Sequence, residues 1–242
     1  MNSYLHIFKT PEDTARAVAD LILEKAKDRV KHSLPLNIAL SGGNTPKLLF
    51  NLLANEYADS IPWHFMRLFW VDERCVPPTH AESNYGMTYE HLLKLVSVHD
   101  ANVFPIQGEI DPDKEAKRYQ NTLKAQLPSN NGMPKFDLVL LGMGDDGHTA
   151  SIFPNDLSLL HSNQLVAVST HPVSHQKRIT ITGQIIDHAD NVIFLVTGAS
   201  KANVLKQIIH REHDFVNYPA SYIHAQSVPA HFFLDEAAAG KL

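Results

Sequence analysis

The feature that most constrains the fold is a short apolar run that ends abruptly in glycines and ionisable side chains. Residues 138–141 are Leu-Val-Leu-Leu, and this lack of polar alternation predicts a strand that is buried on both faces. Gly142, Gly144 and Gly147 follow it closely. Open α/β sheets bind ligands at the carboxyl ends of their strands, and glycine lets the backbone approach a ligand. The stretch therefore predicts an α/β fold with a site at this strand end.

Three ionisable residues lie among these glycines: Asp145, Asp146 and His148. Histidine is the side chain that titrates near neutral pH, and a carboxylate can orient its ring for acid–base chemistry. We therefore expect these side chains to face a common crevice. The structural alternative is a tight turn with solvated acids and a surface histidine, since short glycine-rich motifs occur in many unrelated proteins.

A second glycine turn follows the strand predicted at residues 36–40. A helix is predicted over residues 47–54, with Thr45 as its N-cap and Pro46 at its first position. Free amides and the helix dipole would make this turn an anion site. A P-loop lysine and the third glycine of the dinucleotide fingerprint are missing, which favours a small phosphorylated ligand over a nucleotide. The alternative is a plain strand-to-helix turn. The candidate ligand-binding residues are Ser41, Gly42, Gly43, Asn44 and Thr45.

A third apolar strand, predicted at residues 66–71, ends in Asp72, Glu73 and Arg74. These charges should lie at the same sheet edge as the two glycine turns. Arg74 could bind a phosphate or a developing oxyanion through its planar fork, or form a salt bridge with Asp72 or Glu73, and both roles can hold together. Cys75 is disfavoured as a nucleophile because no neighbouring base would lower its pKa.

Further basic residues follow the later strands. Arg178 begins a β segment at residues 178–182, and Lys201 follows a buried strand at residues 191–196. Both are candidate phosphate ligands, with a solvated surface position as the alternative. Two closely spaced histidine pairs, at 171/175 and 210/213, bring no obvious third ligand, so no metal site is predicted.

The rest of the chain alternates predicted strands and helices without a linker or an internal repeat. Residues 1–242 are therefore expected to form a single domain. Further strands are predicted at 4–8, 165–169 and 231–235. Further helices are predicted at 11–31, 84–96, 111–127, 184–189 and 202–210, and residues 237–242 are expected to be a frayed tail.

The charge and composition of the chain narrow the range of possible binding partners and compartments. The net charge is −5, so no global basic field recruits nucleic acid or an anionic membrane. No segment approaches the roughly 18 apolar residues of a membrane span. The first eleven residues lack the apolar core of a secretory signal, and the single cysteine suits a reducing compartment. We expect a cytoplasmic protein whose phosphate-bearing ligand is held by a local cluster of residues.

Four segments of the chain carry a resemblance to a known family: Ser-Gly-Gly-Asn-Thr-Pro at 41–46, Trp-Val-Asp-Glu-Arg-Cys-Val-Pro at 70–77 with Ser-Asn-Tyr at 83–85, residues 140–154, and Arg-Ile-Thr-Ile-Thr at 178–182. They resemble the 6-phosphogluconolactonases, relatives of glucosamine-6-phosphate deaminase/isomerase. The Gly-x-Asp-Gly-His pattern that ends at His148 is shared with the deaminases. Asp-Glu-Arg at 72–74 and His-Thr-Ala-Ser-Ile-Phe-Pro at 148–154 are similar to the lactonase branch, and the deaminases' Ala-Phe-Asn-Glu-Pro continuation is absent.

The resemblance implies a modified Rossmann-like, mostly parallel sheet flanked by helices, and hydrolysis of 6-phospho-D-glucono-1,5-lactone in the oxidative pentose phosphate pathway. His148 would be the base, Asp146 would orient it, and Arg74 would assist the oxyanion or the phosphate. No metal or organic cofactor is implied, and a monomer or small homo-oligomer is expected. The substrate and its phosphate would be held by Ser41, Gly42, Gly43, Asn44, Thr45, Asp72, Arg178 and Lys201.

Two other functions stay open from the sequence. One is a deaminase/isomerase acting on an amino sugar phosphate. The other is a non-catalytic sugar-phosphate-binding domain, as in some regulators built on this fold. The second is disfavoured because the sequence before the first glycine turn has one amphipathic helix and no basic helix pair for DNA.

Overall fold

The computed structural model describes residues 4–225 and 228–242. The strands of this part of the chain are β1 (Tyr4–Phe8), β2 (Leu36–Leu40), β3 (Met66–Trp70), β4 (Asp72–Arg74), β5 (Val103–Phe104), β6 (Ser129–Asn130), β7 (Met133–Pro134), β8 (Leu138–Leu141), β9 (Val166–Thr170), β10 (Lys177–Ile181), β11 (Val192–Val196) and β12 (His231–Asp235). Its α-helices are α1 (Pro11–Lys31), α2 (Asn44–Glu56), α3 (Asn84–His91), α4 (Pro112–Gln126), α5 (Gly183–Asp187), α6 (Ala202–His210) and α7 (Glu236–Ala239).

The core is a parallel sheet in the order β1-β12-β11-β8-β2-β3-β5. Every residue of the central strands β2, β8 and β11 is buried. Strands of this kind must be apolar on both sides of the pleat, because both faces of the sheet are covered. β1 lies at the edge, where Tyr4 and Ile7 are each 50% exposed.

The chain changes direction across the sheet at β2 and β8, which are neighbours. From β2 it proceeds to β3 and β5 on one side, and from β8 to β11 and β12 on the other. The loops that follow β2 and β8 therefore diverge and leave a crevice between them. A crevice at such a switch point, outside the carboxyl ends of the strands, is where open α/β sheets bind ligands.

A small antiparallel sheet, β4-β10-β9, completes the wall of this crevice. Val71 alone separates β3 from β4, so the parallel sheet leads directly into the second sheet. Arg74 on β4 lies directly opposite Arg178 on β10. Two cationic side chains that are distant in sequence are thereby brought to the same place.

The predicted fold class, an α/β chain with a mostly parallel sheet flanked by helices, is confirmed. No helix within residues 4–225 and 228–242 is long and apolar enough to cross a bilayer.

The prediction that Thr45 caps α2 is wrong. The helix begins at Asn44, and its N-cap is Gly43, whose φ of +106° is readily adopted only by glycine. The Thr45 hydroxyl instead hydrogen bonds with that of Thr197, at 2.9 Å between the oxygens. The turn after β2 is thus tied to the end of β11.

The largest other departures from the predicted helices are at the end of α3 and in the C-terminal tail. The helix predicted over residues 84–96 ends at His91, because the backbone at Leu92 leaves the helical region, and both Leu92 and Leu93 then bury their side chains. Residues 237–239 of the tail predicted to fray belong to α7, whereas residues 240–242 after it are exposed and not helical. Asp235 caps α7 by accepting a hydrogen bond from the Ala238 amide, and Ala238 is fully buried.

Candidate active site

The crevice contains a cavity of about 490 Å³, lined by residues that follow β2, β3, β8 and β11. All but one of the site residues expected from the sequence line this cavity. The exception is Asp146, which contacts a lining residue, His148. The expected residues that line it are Ser41, Gly42, Gly43, Asn44, Thr45, Asp72, Arg74, His148, Arg178 and Lys201.

His148 and Asp146 form a hydrogen-bonded pair. The distance between His148 Nδ1 and Asp146 Oδ1 is 2.6 Å, and the same oxygen accepts the His148 backbone N–H at 3.2 Å. Burial alone would raise the pKa of Asp146, but the hydrogen bonds and charge of His148 outweigh it and lower that pKa. The carboxylate is therefore ionised at neutral pH and accepts the Nδ1 proton. This leaves Nε2 of His148 as the nitrogen available to take a proton.

The loop that carries this pair needs glycine at two positions. A Cβ on Gly144 would lie 2.1 Å from His148 Nδ1, so any other residue would displace the imidazole. Gly147 has φ of +76° and packs against the ring of Tyr218, while its carbonyl accepts the Ala220 amide at 3.1 Å. The loop is thus held between the imidazole and the segment before β12.

The turn after β2 presents unpaired backbone donors to the cavity. The first amides of an α-helix have no intrahelical partner, and no side chain caps those of α2. Gly42 packs so closely on Asn84 that a Cβ would lie 1.8 Å from the Asn84 amide oxygen. The Ser41 hydroxyl donates to the Leu140 carbonyl at 2.7 Å and joins β2 to β8.

Arg74 and Arg178 bring two cations to the cavity without a carboxylate partner. Neither forms a salt bridge with a described residue, so the expected alternative of an Arg74 pair with Asp72 or Glu73 is not found. Arg74 donates instead to the Glu82 carbonyl. Burial, and after it the charge of Arg74, lowers the pKa of Arg178. Like charges directly opposite on paired strands are unfavourable, so this arrangement favours an anion between them.

Lys201 lies across the cavity and pairs with Asp145, with 2.7 Å between Nζ and Oδ1. Ser200 donates a hydrogen bond to the same carboxylate oxygen. These two hydrogen bonds lower the pKa of Asp145. The two adjacent aspartates therefore have different roles: Asp145 holds Lys201, and Asp146 holds His148.

Asp72 joins three segments of the cavity wall. Its carboxylate accepts the Ser151 hydroxyl at 2.6 Å and the Asn84 side-chain amide at 3.1 Å. Asn84 lines the cavity but was not among the expected site residues. The Ser-Asn dipeptide at the start of α3 was the one feature of the sequence that could have indicated Asn84 as a site residue. The same dipeptide is equally typical of a helix cap.

Two other residues with titratable side chains, His171 and Cys75, lie near the site. Burial, and then the charges of Arg178 and His148, lower the pKa of His171, whose ring packs edge-on against Phe153. Burial raises the pKa of Cys75 to about 11, so its thiol is unreactive. Within residues 4–225 and 228–242, no three His, Cys, Asp or Glu side chains are grouped to hold a metal ion.

Comparison with known proteins places the chain in a family. The sequence profile described as "Glucosamine-6-phosphate isomerases/6-phosphogluconolactonase" matches residues 9–232. The chain belongs to this family. Within it, the chain is 39% identical over 224 residues to a 6-phosphogluconolactonase of Treponema pallidum, covering 93% of this chain and 89% of that one. It is 40% identical over 226 residues to one of Haemophilus influenzae, covering 93% and 95%.

A solved family structure superposes closely. The 6-phosphogluconolactonase of Trypanosoma brucei matches with a TM-score of 0.87 and 31% identity, over 100% of this chain and 99% of that one. The overall fold, with its parallel sheet, is therefore one that this chain has in common with a lactonase of the family.

Proposed function

We propose that this chain is a 6-phosphogluconolactonase, which hydrolyses 6-phospho-D-glucono-1,5-lactone to 6-phosphogluconate in the oxidative pentose phosphate pathway. The observation that carries the proposal is the combination, in one cavity, of an Asp-oriented histidine with two unpaired arginines. Ester hydrolysis requires a base for the attacking water and cationic or amide donors for an anion. The names of the relatives in the family support the same substrate.

In the proposed reaction, His148 Nε2 takes a proton from water as the water oxygen attacks the lactone carbonyl carbon. The carbonyl π electrons move to oxygen and give a tetrahedral oxyanion, which Arg74 stabilises. When the intermediate collapses, the bond to the ring oxygen breaks, and the imidazolium returns its proton to that oxygen. Asp146 holds the ring and stabilises its cationic form throughout, as the carboxylate does in Ser-His-Asp hydrolases.

The 6-phosphate is proposed to bind at the turn after β2, where the amides of residues 41–45 meet the α2 N-terminus. Arg178 and Lys201 would supply charge from the other walls. Asp72 would act on the substrate mainly by fixing Asn84 and Ser151 in the wall, since both of its oxygens already accept hydrogen bonds.

A coupled assay on the purified protein tests this function. The lactone would be generated in the cuvette and the appearance of 6-phosphogluconate followed, with the spontaneous hydrolysis rate subtracted. Turnover well above that rate is expected. Ammonia release from glucosamine 6-phosphate with no lactonase activity would favour the deaminase alternative. Binding of sugar phosphates without any turnover would favour the non-catalytic one.

Other expectations belong to the same proposal. Residues 1–242 would act as one domain, as a monomer or small homo-oligomer in the cytoplasm, on a small-molecule substrate rather than nucleic acid. No metal or organic cofactor is needed in this mechanism, because an activated lactone presents only a modest barrier to water attack.

A further inference from the structure

Glu73 is a fully buried carboxylate to which the proposed mechanism gives no part. It lies on β4 between Asp72 and Arg74, both of which line the cavity, and it is 1% exposed. Because side chains alternate along a strand, the Glu73 carboxylate points away from the cavity that its two neighbours face. It is directed instead at the N-terminus of α3.

Four donors surround this carboxylate. Oε1 accepts the backbone amides of Arg74 at 2.8 Å and Asn84 at 2.7 Å. Oε2 accepts the Tyr85 amide at 2.8 Å and the Ser83 hydroxyl at 3.1 Å. Burial raises the pKa of Glu73 to about 7, while the backbone hydrogen bonds oppose that rise. A carboxylate buried without a cation partner is costly, and these donors offset only part of that cost, so the pKa of Glu73 stays raised.

These hydrogen bonds control where two cavity residues lie. The Arg74 backbone is bonded to Glu73, and the Arg74 guanidinium donates to the carbonyl of Glu82, which stands just before the α3 start that Glu73 holds. Asn84, whose amide Glu73 accepts, reaches Asp72 with its side chain and packs on Gly42. The Glu73 carboxylate thus holds the Arg74 backbone directly, and it holds the start of α3, next to the Glu82 carbonyl that the Arg74 guanidinium contacts. It also sets Asn84 against the turn after β2.

We propose that Glu73 is a positioning residue, which acts through Arg74 by keeping its guanidinium aimed into the cavity. The proposal rests on the proposed role of Arg74 in catalysis. A purely structural role would make Glu73 a helix cap whose loss lowers stability and leaves the kinetics of the folded enzyme unchanged. The two roles differ in whether the effect of changing Glu73 depends on Arg74.

A double-mutant cycle measures this dependence through kcat/KM. Glu73→Gln keeps the shape of the side chain but turns an NH₂ group toward backbone donors. Arg74→Ala is expected to lower kcat/KM ~10²-fold, as loss of an oxyanion donor does. Glu73→Gln is expected to lower it ~10-fold in the wild-type background and by less than ~2-fold in the Arg74→Ala background, because positioned and reacting residues are non-additive.

Glu115 provides a matched control. It is also fully buried, and its carboxylate accepts the Gln107 amide and pairs with Arg118, outside the cavity lining. Glu115→Gln should lower the denaturation midpoint and leave kcat/KM of the folded enzyme unchanged. If Glu73→Gln does not fold, Ser83→Ala replaces it in the cycle, because Ser83→Ala removes the side-chain donor to Glu73. Ser83→Ala should then also lower kcat/KM more in the wild-type background than in the Arg74→Ala background.

Three outcomes would overturn the proposal. Wild-type kinetics in folded Glu73→Gln, or an equal loss in both backgrounds, would refute Glu73 as a positioning residue while leaving the function of Arg74 intact. Wild-type kinetics in Arg74→Ala would refute the role of Arg74 itself, and the proposal for Glu73 with it. The lactonase activity of the unmodified protein is measured separately, so failure of the proposed function is distinguishable from all three.

Discussion

Replacing Asp146 with Asn should lower kcat while leaving KM close to its wild-type value. The carboxylate contacts the side of the imidazole that faces away from the reacting atoms, with 2.6 Å between Nδ1 and Oδ1. The Asp146 carboxylate stabilises His148 most when the imidazole is protonated in the course of the reaction, and not when the substrate first binds. Asn keeps the size of the side chain but removes the charge.

The magnitude follows from the geometry of this pair. Hydrogen bonds to charged groups contribute about 1.5–3 kcal/mol. The two side chains are 31% and 47% exposed, so solvent screening places this pair in the lower half of that range. At about 1.4 kcal/mol per factor of ten, kcat should fall ~10- to 40-fold. This is far below the ~10⁴-fold loss for the buried carboxylate of Ser-His-Asp proteases.

The assay is lactone hydrolysis with the spontaneous rate subtracted, and Asp145→Asn is the control. Asp145 is the adjacent aspartate, but it pairs with Lys201 and not with His148. Asp145→Asn should therefore change KM through the proposed phosphate site and leave kcat nearly unchanged. Equal kcat for wild type and folded Asp146→Asn, or an equal loss of kcat in both variants, would refute the assignment of Asp146.

Three further predictions follow from the same geometry. Arg178→Ala should raise KM ~10- to 100-fold through loss of charge-assisted bonds to phosphate, and a larger effect on kcat than on KM would contradict the assignment. Gly144→Ala should abolish most activity in a folded protein, because its Cβ would lie 2.1 Å from His148 Nδ1; a fully active variant would show that the imidazole position is not critical. His6 and His231, 3.0 Å apart, both have a pKa lowered below 6.5, mainly by burial. Protonation therefore favours the unfolded chain, so the stability present above pH 6.5 should be lost as the pH falls through the lowered values. Urea unfolding from pH 8 to 5 should detect this loss of stability, and the loss should be smaller in His6→Phe. An equal loss of stability in His6→Phe would show that other groups cause it.

The location of the site could be predicted because it depends on local patterns. Each of these predicted strands is a largely apolar run followed within two residues by glycine or charge, as after Leu141, Leu40 and Trp70. Parallel strands bring such ends to one edge of the sheet. The expected residues that line the cavity were therefore identifiable without knowledge of which strands are neighbours.

Pairings between distant segments could not be predicted in this way. Nothing near Arg74 indicates that β4 pairs with β10 and places Arg178 opposite it. Thr45 has the residue type of an N-cap, but its hydroxyl is taken by Thr197, and Gly43 serves instead. Glu73 belongs to a residue type that is usually exposed, and its burial depends on the position of α3.

The central claim, that His148 is the base of a lactonase, is tested most directly by the kcat of His148→Ala. We expect lactone hydrolysis by this variant to fall by ~10² to 10⁴, the usual contribution of a general base. The fold should be intact, because the His148 ring contacts Phe153 and Asp146 at the cavity rather than within the sheet. Wild-type kcat in a folded His148→Ala protein, after subtraction of the spontaneous rate, would contradict the claim.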